Sequence, residues 1–243
     1  MPATTGLPAL GGLDGVELKL NVAADRIDRA CQVFGLDAAA AKPRRIWFGE
    51  VLDGRDGPGA LPLSARGIVL RVRAKRTGGD VTLKLRGPDG GVGVGAWRDG
   101  AGRDPDAKIE GDWAGRRLVS ASLDSDLDRA AVEHLDVRAG GLPGLLSAQQ
   151  RRLARQLMIP VERVALLGPV AAQKWEAEKD GDIEAELWEV DTLRFLEISL
   201  LVTHDPEAEM ERLRRRARDG GLALGGDQET KTDTVLRHLA SGR

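Results

Sequence analysis

The sequence predicts an α+β fold in which antiparallel strands curl into a barrel, with ionic side chains inside and helices packed outside. Three observations predict it. Strand-like stretches alternate apolar and polar residues with period two, and their polar positions are almost wholly Lys, Arg, Asp and Glu. The segments run strands, a helical middle, strands again and then helices, which is not the alternation of a parallel, doubly wound sheet. The 243 residues, 42% hydrophobic and 30% charged, suit a folded chain of one large or two small domains. Residues 1–12 read as a flexible N-terminal arm. Residues 13–243 read as a single domain built of two halves, about 13–123 and 124–243.

Taken in order, "GVELKLNV" (15–22) is a strand with Glu17 and Lys19 on one face and Val16, Leu18 and Leu20 on the other. Ile27, Ala30, Cys31 and Phe34 then fall at helical spacing, with Gly35 as the stop. "RRIWFGEVLDG" (44–54) is a strand and "GRDGPGALPL" a loop. In "GIVLRVRAKRTGGDVTLKLRGP" two alternating runs flank Gly78-Gly79, read as a two-residue hairpin turn. That turn sets Arg73 opposite Lys84 and Arg71 opposite Arg86. The Gly-rich loop 87–107 has no following helix and no Gly-Lys-Ser/Thr, so it reads as a connector rather than a phosphate loop. "AKIEGDWAG" (107–115) and "RRLVSASL" (116–123) are strands. "DSDLDRAAVEHL" (124–135) and "SAQQRRLARQLMI" (147–159) are helices, the second capped by Ser147. Strands return in 169–178, 182–191 and 193–202. "DPEAEMERLRRRARDGG" is a helix with Asp205 as cap, Pro206 in the first turn, Met210, Leu213 and Ala217 as the buried stripe and Gly220 as the stop. "KTDTVLRHLASGR" reads as a short strand end or turn leading into a last helix.

Bulk charge narrows the partners. With 36 basic and 38 acidic residues the net charge is −2, so no global field attracts nucleic acid or an acidic membrane. The basic run "RRRAR" complements a helix C-terminus rather than marking a nucleic-acid patch. Cys31 is the single cysteine and cannot form an intramolecular disulfide. The three histidines are too widely spaced for a Cys/His zinc site. Without a secretory signal or a membrane-length apolar run, the expected location is cytoplasmic. The oligomeric state, monomer or homodimer, is left open.

The ionic faces carry the chemistry. Arg71, Arg73 and Lys75 share a face, as do Lys84 and Arg86, Lys108, Glu110 and Asp112, Lys174, Glu176 and Glu178, and Glu184 and Glu186. A sandwich with a salt-bridged outer face would account for one such strand. Six of them, with cations concentrated on one hairpin, point instead to a lined interior. Clustered cations would hold an anion, and clustered carboxylates a hard divalent ion, Mg²⁺ or Mn²⁺. Metal plus cations around one polyanion is what phosphoryl chemistry requires.

At this point the chain resembles the CYTH, or triphosphate tunnel metalloenzyme, superfamily. "GVELK" resembles the opening E-x-E-x-K strand, "LRVR" (70–73) the L-R-x-R strand and "TLKLRGP" (82–88) the basic strand after it. "KIEGD" (108–112) resembles R-x-E-x-E and "FLEIS" (195–199) the late acidic pair, while Lys231 stands at the terminal lysine. The resemblance implies an eight-stranded antiparallel tunnel that mostly hydrolyses or cyclises triphosphates with Mg²⁺ or Mn²⁺. It implies phosphate binding by Lys19, Arg71, Arg73, Lys84 or Arg86, Lys108 and Lys231, with Lys174 as a further basic candidate. It implies metal binding by Glu17, Glu110, Asp112 and Glu197, with Glu17 and Glu110 serving catalysis. Three positions depart from the pattern. Gly15 and Ser199 stand where carboxylates are expected, and Lys108 stands where the pattern has Arg. The implied function is a metal-dependent hydrolase of tripolyphosphate or a nucleoside triphosphate, ahead of an adenylyl cyclase or a thiamine triphosphatase. The alternatives are a module that binds polyphosphate or nucleotide without turnover, and a scaffold whose charge lattice is structural.

Overall fold

Nine strands among the described residues close into a barrel. They are β1 (Gly15–Val22), β2 (Lys42–Val51), β3 (Ile68–Lys75), β4 (Gly78–Gly87), β5 (Ala107–Trp113), β6 (Arg117–Leu127), β7 (Val164–Trp175), β8 (Glu184–Val190) and β9 (Leu193–Val202). Around the barrel the order is β1-β5-β6-β4-β3-β2-β7-β8-β9. The computed structural model describes residues 12–52, 54, 55, 57, 59–87, 97, 104, 106–133, 135, 142–176, 183–223 and 230–241. The expected N-terminal arm, nearly all of the Gly-rich loop and Glu178 lie outside these residues. The barrel has nine strands where the resemblance implied eight, and one junction is not antiparallel. β1 runs parallel to β5, pairing Gly15 with Glu110 and Glu17 with Asp112.

Among the described residues these α-helices accompany the strands: α1 (Ile27–Phe34), α2 (Pro62–Ala65), α3 (Arg129–Glu133), α4 (Ala148–Gln156), α5 (Pro206–Asp219) and α6 (Lys231–Ser241). Alternation along each strand gives the barrel wall an apolar outer face, and the helices cover it. Under α1 and α5, Val16, Leu18, Leu196 and Ile198 pack with Ile27, Phe34, Met210 and Leu213. Under α4, Leu70, Val72, Leu83 and Leu123 pack with Leu153. Ser147 and Gln150 form a reciprocal capping box at the start of α4. Gln150 is fully buried and donates to the carbonyls of Val81 and Leu123, both at 2.9 Å, pinning α4 to β4 and β6. Gly35 ends α1 with φ +70, the left-handed conformation that favours glycine. In the basic run of α5 Arg218 pairs with Glu211 and Arg216 lies over the Phe34 ring, while Arg212, just before the run, pairs with Glu209. Among the described residues no helix is long and apolar enough to cross a membrane.

Part of the barrel's inside is apolar. Ile46, Phe48, Val69, Val170, Ala172 and Trp188 form a cluster that Val235 and Leu236 of α6 complete. Phe48, Val69 and Trp188 of that cluster also border the interior cavity. The last helix therefore packs against inward-facing residues and brings Lys231, its first residue, to the cavity wall.

Four local expectations differ from the structure. The hairpin turn is Arg76-Thr77, and β3 pairs Arg73 with Asp80 and Arg71 with Thr82. No like charges oppose each other there. Gly78 and Gly79 serve close approach instead. A Cβ on Gly79 would stand 2.2 Å from the Arg73 carbonyl oxygen, and one on Gly78, at φ +146, 2.7 Å from that of Leu127. Residues 124–127 continue β6 rather than opening a helix, because they pair with β4 from Thr82 to Gly79. The strand expected at 169–178 begins earlier, at Val164, and ends at Trp175. Asp205 occupies the N-cap position of α5 at φ +46 without a capping side-chain hydrogen bond.

Candidate functional site

A cavity of about 320 Å³ lies inside the barrel. All twelve residues named as phosphate, metal or catalytic candidates line it: Glu17, Lys19, Arg71, Arg73, Lys84, Arg86, Lys108, Glu110, Asp112, Lys174, Glu197 and Lys231, whereas Lys75 and Glu176, expected on the same ionic faces, do not. The twelve come from six strands and one helix. What gathers them is strand parity, since every second residue of each strand faces inward. The sequence reading did not single out Thr82, Asp124, Phe48, Val69, Trp188 or Thr230, which also line the cavity. For Asp124 the period-two pattern of Ser122, Asp124 and Asp126 was the available signal.

The ionic groups form two clusters. In the first, Asp112 receives three cations: Lys19 Nζ at 2.9 Å, Arg86 Nε at 3.2 Å and Lys84 Nζ at 3.5 Å. Lys19 also lies 2.8 Å from Glu17. Burial would raise the pKa of Asp112, but Lys19, Arg86 and Lys84 outweigh it and hold the carboxyl far below its ordinary range. Burial would likewise lower the pKa of Lys19, yet Asp112, Glu17 and Glu197 push it above the usual lysine range. Lys84 goes the other way, its pKa lowered by burial and by Lys19.

In the second cluster Lys231 Nζ lies 3.1 Å from Glu186 and 3.2 Å from Glu197, which oppose each other directly across β8 and β9. The same ammonium sits 4.1 Å from the centre of the Trp188 ring. Burial acts to raise the Glu186 pKa, but Lys231, Arg71 and Lys174 bring it down to about 2. Lys174 pairs with Glu184, and Arg73 donates to Asp80 at 2.6 Å.

Arg71 stands apart. It forms no ion pair among the described residues, its Nε is buried without a hydrogen-bond partner, and its one contact, to Thr82 Oγ1, is long at 3.4 Å. Burial, then the neighbouring Arg73, lowers its pKa to about 10. Glu186, Asp80 and Asp124 act on it only through space, so most of its capacity to donate to an anion is unspent.

The donor set determines how a divalent cation would fit. Among the described residues no group of three His, Cys, Asp or Glu side chains forms a ready-made metal cage. Asp112 aims at three cations and Glu197 at Lys231, so neither stands open as a ligand. Glu110 makes no ion pair among the described residues. Burial and the charge of Glu17 raise its pKa, a repulsion that a cation would relieve. Mg²⁺ characteristically takes one or two carboxylates and completes its shell with water and substrate phosphates. Glu110 fits that demand as it stands, and Glu17 fits it only by sharing its carboxylate with Lys19, 2.8 Å away, which Asp112 also engages. Gly15, paired with Glu110 in the sheet, adds no third carboxylate, and a Cβ there would stand 3.0 Å from Leu201 Cδ1 and 3.1 Å from the Val202 carbonyl oxygen.

No protein-family model matches the chain, and no curated protein matches it by sequence. Solved structures do resemble it. A candidate adenylate cyclase of Bacillus halodurans superposes with a TM-score of 0.60 at 14% identity, covering 91% of this chain and 97% of that one. HpAC1 of Hippeastrum, a candidate adenylyl cyclase with a dominant triphosphatase activity, gives 0.60 at 14% identity, covering 92% of this chain and 95% of that one. With strands closed into a barrel, a charged cavity inside it and these neighbours, the chain has the CYTH, or triphosphate tunnel, fold.

Proposed function

We propose that the cavity binds a small triphosphate, inorganic tripolyphosphate or a nucleoside triphosphate, and hydrolyses it with Mg²⁺ or Mn²⁺. The observation that carries this reading is Arg71, a half-buried guanidinium with no ion pair among the described residues and a buried Nε without a hydrogen-bond partner, on the same cavity wall as Arg73, Lys84 and Lys108. These cations would bind the phosphoryl oxygens and stabilise charge that develops on them. Lys19 and Arg86 are held in place by Asp112, which acts as a positioning residue. Glu17 and Glu110 would hold the metal. When bound, the metal polarises the phosphoryl oxygens and lowers the pKa of a coordinated water. The dominant triphosphatase activity of HpAC1 supports hydrolysis over cyclisation.

Binding without turnover is favoured by one specific observation: Gly15 and Ser199 leave the first and last strands one carboxylate short of the family pattern. Phosphate release from tripolyphosphate, ATP and thiamine triphosphate, with Mg²⁺ or Mn²⁺ and beside Glu110→Gln, separates the two. Hydrolysis predicts metal-dependent release that falls about 100-fold in the variant. Tight binding with no release under any metal leaves the non-hydrolytic module, and no binding at all removes both.

A further inference from the structure

A second cationic concavity, of about 340 Å³, lies beside the first. Arg44, Arg45, Lys75, Arg76 and Arg129 line it, with Glu133 as the one carboxylate in its wall. We propose that this groove continues the grip of the cavity. Its occupant is then the remainder of a linear polyphosphate longer than three units, whose terminal phosphates sit inside the barrel. The inference rests on the reading of the cavity as a triphosphate site.

Continuity between the two concavities is structural. Arg73 lines the cavity and Lys75 the groove, two residues apart on one face of β3, roughly 6.6 Å along the strand. Asp80 joins them, 2.6 Å from Arg73 Nε and 2.7 Å from Lys75 Nζ. Glu176 makes a second link: it pairs with Arg44 of the groove and feels the charge of Lys174 in the cavity. Arg44 is only 8% exposed, so its guanidinium is a desolvated donor, not a freely solvated surface charge. Arg76, in the hairpin turn, makes no ion pair among the described residues and is exposed.

The chemistry of the lining selects the ligand class. No aromatic residue lines the groove, so the bases of a single-stranded nucleic acid would find no stacking platform there. A polyphosphate chain asks only for closely spaced cations, and guanidinium groups match its oxygens in pairs. Arg76 and Arg129 are both exposed and absent from the cavity, so substituting them leaves the cavity wall intact; Arg129 pairs with Glu133 at 2.7 Å, and Arg76 forms no ion pair among the described residues.

Titration calorimetry with tripolyphosphate and with a polyphosphate several tens of units long tests the proposal, on the wild type and on the Arg76→Glu/Arg129→Glu double variant. A long chain also offers more binding registers, so the deciding comparison is wild type against variant. The variant is expected to lose about tenfold in affinity for the long chain and to keep its tripolyphosphate affinity within about twofold. Should charge reversal unfold the protein, Arg76→Gln/Arg129→Gln tests the same point with a smaller loss. Equal long-chain affinity in wild type and folded variant overturns the proposal. No binding of tripolyphosphate by the wild type overturns the cavity reading and this one with it. Retained tripolyphosphate binding with an unaffected long chain overturns the groove alone.

Discussion

Asp112 and Lys231 occupy opposite electrical positions within one barrel. Asp112 is a carboxylate among three cations, whereas Lys231 is a cation between two carboxylates. The first cluster is made wholly by strands β1, β4 and β5, so sheet register sets its geometry. The second needs α6, whose first residue reaches Glu186 and Glu197 only when Val235 and Leu236 are seated in the apolar cluster. The difference teaches how one cavity would serve the proposed polyanion. A strand-built excess of positive charge would attract phosphate, and a helix-supplied cation would keep the opposing carboxylates from repelling it.

The comparison breaks most severely at Asp112. Asp112→Asn takes the shared carboxylate from buried Lys19 and half-buried Lys84 and Arg86, and the expected loss is about 3–5 kcal/mol in urea denaturation. Excess tripolyphosphate should recover part of it by replacing the missing charge. A variant as stable as the wild type would show that the strand cluster is not held by Asp112.

Lys231→Met comes next, at about 2–3 kcal/mol, because Glu186 and Glu197 are left facing each other. Here pH sharpens the contrast. The native pKa of Glu186, about 2, lies below its ordinary 4.5. Its contribution is therefore present above pH 4.5 and lost as pH falls toward 2. The deficit of Lys231→Met should accordingly shrink between pH 4.5 and 2, and a pH-independent deficit would contradict the pairing.

The smallest effect on stability is expected at Arg71. Arg71→Met removes a half-buried cation that has no ion-pair partner among the described residues, so stability should change by less than about 1 kcal/mol. Tripolyphosphate affinity should nonetheless fall about 10- to 100-fold, the worth of a charge-assisted contact. Equal affinity in the two proteins would remove Arg71 from the site.

The inward residues were legible before the fold because parity is local. Arg71, Arg73, Lys84 and Arg86 alternate with apolar neighbours, and the actual hairpin register shifts each partner by four positions, an even number that leaves every face unchanged. The same tolerance failed for pair energies, because the repulsion expected between Arg73 and Lys84 is an ion pair between Arg73 and Asp80. The start of α6 was signalled by Thr230 and Asp233. Their side chains hydrogen-bond at 2.7 Å, and the Asp233 amide donates back to Thr230 Oγ1 at 3.3 Å. That T-x-x-D spacing outranks the strand end or turn expected there.

Alternation along each strand decided by itself which side chains face inward, since period two requires no partner. It also decided the helix positions that caps and apolar stripes mark, such as Ser147 and Gly35. Tertiary structure alone decided which charges meet. Lys19 finds Asp112 across 93 residues of chain, and Lys231 finds Glu186 across 45. The parallel closure of β1 on β5 and the seating of α6 against the apolar part of the interior are contacts of the same long-range kind. Their energies depend on distance and burial, and neither exists until the barrel closes.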